Sequence, residues 1–148
     1  MLSIPTDTLL AVHAFATLAM VGLIWFVQVV HYPLYSHVGP GAFAAYHEQH
    51  VRRTTLVVAP FMLLELATSL ALLWAQEPRY SGWMPWLGIL LLGVIWTSTA
   101  LLQVPSHGRL QAGYTPAAHA FLVRSNWIRT VAWSARGVLS VVPLLVPA

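Results

Sequence analysis

The chain reads as an all-α protein: an integral membrane four-helix bundle, a single domain over residues 1–148 whose two helical hairpins echo each other. Three observations lead there. Of its 148 residues, 58% are apolar and only 7% charged, a balance outside the usual range of soluble domains. The apolar residues gather in four runs, near residues 8–30, 54–74, 86–104 and 127–146, each close to the ~20 residues that cross ~30 Å of hydrocarbon. Inside those runs the few polar residues recur at spacings of three, four and seven, which stack them along one helix face.

The first run carries His13, Thr17, Ile24, Gln28 and His31 on one face, and it lacks the basic start and cleavage site of a secretory signal. It is therefore expected to be a retained helix that keeps Met1. Pro33 and the Gly39, Pro40, Gly41 cluster end it. The second helix is expected to begin early, because nothing from Ala42 to Thr55 breaks a helix, and to carry His47 and His50 on an extension beyond the hydrocarbon. Its face continues with Thr54, Phe61 and Glu65, and Pro60 is a site for a kink. The stretch 76–85, with Pro78, Gly82 and Pro85, makes a short turn into the third run, whose face holds Trp96, Thr99, Gln103 and His107. The third connection, residues 105–125, is expected to contain a short amphipathic helix over 116–123 lying on the membrane surface. The fourth run places Asn126, Arg129, Trp133 and Arg136 on one face. Trp74, Trp83, Trp86 and Trp127 stand at run ends as interfacial anchors do.

Charge sets the topology. The net charge of +3 rests on seven arginines, without a single lysine. Arg52, Arg53, Arg109, Arg124 and Arg129 flank the first and third connections, against Arg79 alone in the second. Short basic loops stay cytoplasmic, so both termini are expected outside a bacterial inner membrane. Scattered arginines form no basic patch, which argues against a nucleic-acid partner. The absence of cysteine removes thiolate metal sites and cysteine nucleophiles.

Topology gathers chemistry at the cytoplasmic end. His31, His47, His50 and His107, from three helices, form a set suited to iron, copper or zinc. Interfacial histidines bonded to water and headgroups would give the same pattern. Gln28, Gln103, Asn126 and Arg129 fall at the same level, as partners for the ligand imidazoles or the substrate. Gln28, His31 and Arg53-Thr54 reappear as Gln103, His107 and Arg129-Thr130, which is the echo between hairpins and would place equivalent side chains around one central cavity. Glu65 lies about 22 Å along its helix from His50 at 1.5 Å per residue. A carboxylate within a membrane span needs a partner or a task. Arg136, at similar depth in the fourth run, is that partner, and the two are read either as a structural pair or as catalytic groups closing the cavity from the outer side. Arg129 and Arg136, two turns apart, read either as an anion or carbonyl clamp or as snorkelling cations.

Three segments, WFVQVVHYPLY (25–35), HVRRTTLVVAPFMLLE (50–65) and NWIRTVAWSAR (126–136), resemble a widespread group of small bacterial four-helix inner-membrane proteins. The likeness covers most of the chain and implies the fold. More distantly, the chain is similar to anthrone-oxygenase-like proteins and, through GLIWFVQ (22–28) and the pattern Arg53, Thr55, Pro60, Met62, to HemJ-type protoporphyrinogen oxidase. The second resemblance implies redox chemistry and makes His13 a candidate haem ligand.

The expected function is a membrane-embedded oxidoreductase with a histidine-bound metal or haem near the cytoplasmic end, acting on a lipophilic or quinone-like substrate. The alternative is a small transporter, a ligand-binding membrane protein or an accessory subunit, without cofactor. Expected partners are the lipid bilayer and that substrate, with a homo-oligomer or a larger membrane complex as further assembly.

Overall fold

The computed structural model describes residues 5–147; Met1, expected to be retained, lies outside them. Four helical stretches form the bundle: α1 (Thr6–His37), α2 (Pro40–Ala75), α3 (Met84–Gln111) and α4 (Pro116–Val141). Three of them, α1 to α3, are long and apolar enough to cross a membrane. The fourth holds buried Asn126, Arg129 and Arg136, which lowers its apolarity while its outward face, with Val131 and Val138, stays apolar.

Local chemistry sets the boundaries. Proline stands in the first turn of α2, α3 and α4, where its missing N–H costs no hydrogen bond. α2 ends on Gln76 in a left-handed conformation, φ 48°, and Pro78 forbids continuation. Gly113, at φ 138°, turns the chain between α3 and α4 in a conformation that L side chains rarely adopt.

Two π turns interrupt the α-helical ladder, Val27–His31 in α1 and Thr99–Gln103 in α3. Each closes on the residue just before a proline: Tyr32 N–H donates to Val27 O, and Val104 N–H to Thr99 O. Pro33 and Pro105 cannot donate, and their rings crowd the carbonyl four residues back, so the preceding turn widens. Both hairpins thus share a π turn before proline. The register this defines differs from that of the Gln28 and Gln103 pairing, so the echo is one of backbone geometry and not of residues.

Two expectations are corrected. No separate surface helix covers 116–123, because α4 starts at Pro116 and runs unbroken to Val141, while α3 continues through its π turn to Gln111. The third connection shrinks to residues 112–115. Trp127 is also no end anchor: it lies within α4, ring edge against Trp25 at 5.7 Å, and Trp25 donates to Ser134 Oγ. Trp74, Trp83 and Trp86 do project at the other end of the bundle, 64 to 86% exposed.

α1 packs along α2 and α4, and α3 along α4, whereas α2 and α3 approach each other sparsely. The core centres on Met20, Ile24, Met62, Ile95, Ala132 and Trp133. Thr6, Asp7, Arg79 and Pro147 line one cleft, so both ends of the described chain share an end of the bundle with the α2–α3 turn. The opposite end holds the histidines.

Candidate functional site

Five aromatic and imidazole side chains meet there. His47 and His50, one turn apart on α2, face His31 and Tyr32 at the end of α1 and His107 on α3. His31 Nε2 lies 2.6 Å from His50 Nδ1, and His47 Nε2 lies 3.0 Å from His107 Nδ1. The ring centroids of His50 and His107 are 5.6 Å apart. Thr54 Oγ1 also reaches His50 Nδ1, at 3.1 Å. Tyr32 Oη sits 2.9 Å from His107 Nε2, and His47 Nδ1 meets Gln111 Oε1 at 3.1 Å. Tyr32, His107, His47 and Gln111 therefore form an unbroken hydrogen-bonded chain from the interior to the exposed Gln111.

The four predicted histidines thus come together, as two hydrogen-bonded pairs. Among the described residues no three of these side chains already converge as ligands of one ion. Two nitrogens bound to one tetrahedral ion at 2.0–2.1 Å stand roughly 3.3 Å apart, slightly wider than the present pairs. Four imidazoles and a phenol are a donor set for iron, copper or zinc, reached by opening the two pairs.

A cavity of about 510 Å³ opens along the sparse α2–α3 seam. Its walls are mostly apolar, including Val58, Ala59, Met62, Leu63, Trp96 and Val104; its polar end is formed by Tyr32, His50, Gln103, His107 and Arg129. Arg129 Cζ lies 5.2 Å from the centre of the Trp133 ring.

The other predicted residues divide. Gln28 and Asn126 bind one another: Asn126 Nδ2 donates to Gln28 Oε1 at 2.8 Å, and Gln28 Nε2 donates to the Val123 carbonyl, tying α1 to α4. Glu65 and Arg136 form a buried ion pair of 2.8 Å, 0% and 2% exposed, just beyond Met62 at the far end of the cavity. Trp133 Nε1 donates to the second Glu65 oxygen at 3.0 Å, and Arg136 also donates to Ser69 Oγ and to the Gly88 carbonyl. His13 is separated from the other histidines by most of α1. It bonds Thr68 Oγ1 at 2.9 Å, its ring lies 6.1 Å from that of Tyr80, and Leu10 and Leu72 pack nearby. A porphyrin at His13 would have to displace that packing, so its surroundings do not fit a haem.

No protein-family model, curated protein or solved structure matches the chain. The site must therefore be read from its own geometry.

Sequence reasoning missed three residues. Tyr32 joins the cluster directly, and Tyr35, wholly buried, packs edge-on against His31, His47 and His50. Both lie beyond Gln28, at four and seven residues, a helical spacing visible in the sequence. His119, in the first turn of α4, stacks on Tyr35 and contacts the Tyr32 carbonyl at 2.8 Å. His37 is exposed and its ring meets Ser36.

Proposed function

We propose that the protein is a membrane-embedded oxidoreductase whose substrate is a lipophilic, quinone-like molecule entering between α2 and α3 from the bilayer of a bacterial inner membrane, with both termini outside. The observation that carries this reading is the joining of an apolar cavity, open along a lipid-facing seam, to a polar end of histidine, tyrosine and arginine. An apolar tail lies against Val58, Met62 and Trp96, and the oxygen-bearing head meets Tyr32, His107, Gln103 and Arg129. Burial of the head excludes bulk water, so protons must leave through side chains. The chain Tyr32, His107, His47, Gln111 supplies the route, each imidazole taking a proton on one nitrogen and releasing one from the other. A metal ion held by His31 and His50, the pair outside that route, would supply the electron acceptor and leave both nitrogens of His47 and His107 free to relay. Gln28 and Asn126, though not in the cavity, fix α4 against α1 and so hold Arg129 at its level.

The test is metal content and absorption of wild type, His50→Ala and His107→Ala, purified in mild detergent without chelator. Near-stoichiometric iron or copper in wild type, lost in His50→Ala and kept in His107→Ala, is the expected result. A wild type that is metal-free and takes up none when supplied would overturn the redox reading. The pairing of the histidines with one another would then favour a cofactor-free binding or transport protein.

A further inference from the structure

Arg129 differs from every other buried cation in this chain. It is 7% exposed and lines the cavity, yet none of the three ion pairs among the described residues includes it. Of the four acidic residues, Asp7 and Glu77 meet Arg79, Glu65 meets Arg136, and Glu48 points from the exposed face of α2. Arg129 Nε is buried without an acceptor. Holding a guanidinium in a low-dielectric interior without a counter-charge costs several kcal/mol, and the Trp133 ring face and the neutral Tyr32 phenol beside it offset only part of that.

Gln103 carries the opposite deficiency. Its Nε2 donates to Ser125 Oγ at 3.0 Å, while its Oε1 is buried without a donor. The orientation of this amide is set by its neighbour. Ser125 has one hydroxyl proton, directed to the Phe121 carbonyl at 2.8 Å, so Ser125 must accept, and the side of Gln103 facing it must be the NH₂. Two residues lining one cavity are therefore incompletely matched, a cation without a counter-charge and an amide with an unpaired acceptor.

We propose that the cavity takes an apolar molecule whose head bears one ionised oxygen beside one neutral hydroxyl, the monoanion of a lipophilic aromatic diol. The ionised oxygen pairs with Arg129, and the hydroxyl donates to Gln103 Oε1. This rests on the reading of the α2–α3 cavity as the substrate site and names the reduced, singly ionised form of a quinone-like molecule as what binds.

The experiment uses the full chain in lipid nanodiscs under argon, with 4-nonylcatechol, its monomethyl ethers and its dimethyl ether as probes. Tryptophan quenching gives affinity, corrected against protein-free nanodiscs, and ultraviolet absorption detects the bound phenolate. A charge-assisted hydrogen bond is worth enough for the diol to bind about tenfold more tightly than the dimethyl ether. The diol is expected to show a phenolate band at a pH where it is neutral in bilayer alone. Arg129→Gln should abolish the band, and Gln103→Leu should keep it while removing the preference for diol over monomethyl ether. Equal wild-type affinities for diol and dimethyl ether, or a bound diol without the band, would overturn the proposal while leaving the cavity as a binding site. If none of the probes binds above bilayer partitioning, the cavity reading itself fails, and this inference with it.

Discussion

Replacing Glu65 by Gln keeps the shape of the side chain and removes its charge, which isolates what the buried ion pair contributes. In the native arrangement one carboxylate oxygen accepts from Arg136 Nε at 2.8 Å and the other from Trp133 Nε1 at 3.0 Å. A glutamine must turn its NH₂ toward one of those two donors, losing that hydrogen bond and leaving Arg136, 2% exposed, without a counter-charge. Breaking a buried pair from one side costs about 3–5 kcal/mol. Arg136→Met should cost a similar amount, since it strands the carboxylate with Trp133 as its remaining donor. The double variant Glu65→Leu/Arg136→Met removes both charges at once. What remains is the loss of partners for Trp133 Nε1 and the Gly88 carbonyl, about 1 kcal/mol or somewhat more for each. The double should therefore cost roughly 2–3 kcal/mol, far below the sum of the singles. Reversible unfolding of the purified protein in mixed micelles of increasing dodecyl sulfate fraction measures wild type and the three variants. A Glu65→Gln cost below about 1 kcal/mol, or strictly additive singles, would refute the view that this pair locks α2 to α4.

Other contacts carry three further expected outcomes. A Cβ added at Gly88 would sit 2.5 Å from Tyr80 Oη but 3.7 Å from Tyr80 Cζ, so Gly88→Ala should destabilise by about 1–3 kcal/mol and Gly88→Ala/Tyr80→Phe should recover most of it in the same unfolding assay. At the α2–α3 turn, the side-chain and backbone hydrogen bonds from Arg79 hold the Glu77 carboxyl below its ordinary 4.5, and the Glu77 and Asp7 carboxylates raise the Arg79 guanidinium. A lowered folded-state value means that stability is present above the ordinary carboxylate range and is lost as pH falls through the lowered value. Proteolytic nicking at residues 76–83 should thus increase on acidification below pH 4.5 in wild type and show no such step in Glu77→Gln. Tyr32→Phe removes the first member of the hydrogen-bonded chain to Gln111. It should slow proton release on quinol oxidation, monitored with a pH dye in proteoliposomes, more than it weakens substrate binding; equal loss of both would argue that Tyr32 only positions the head.

The sequence made the helix faces legible because burial tracks helical phase. Gln28, His47, Glu65, Gln103, Asn126 and Arg136 are all buried, as a membrane bundle requires of polar side chains. The partnership of Glu65 with Arg136 was likewise readable from equal depth. The illegible features came from places where the period changes. Tyr32 and Tyr35 follow Gln28 at four and seven residues and so share its face, but Pro33 reads as the end of the first helix, and the π turn before it, which carries the helical stretch on to His37, has no signal in the periodicity. Residues 105–125 contain Pro105, Gly108, Gly113 and Pro116, which read as one long connection. Two of those residues instead sit inside helix and one opens the next, where proline and glycine are tolerated. The position of the cavity was also hidden, because it depends on how sparsely α2 and α3 pack, a property of helix pairs and not of either helix alone.

The most direct measurement of the central claim is photolabelling of the protein in native membranes with an azido-substituted short-chain quinone, competed by the unlabelled quinone and mapped by peptide sequencing. Competable label on residues 51–63 and 96–111, the two walls of the α2–α3 seam, and on Tyr32 and Arg129 at its polar end is the predicted result. Label that competition does not remove, or competable label on the lipid-facing side of α1 at Phe15, Leu18 and Trp25, would contradict it.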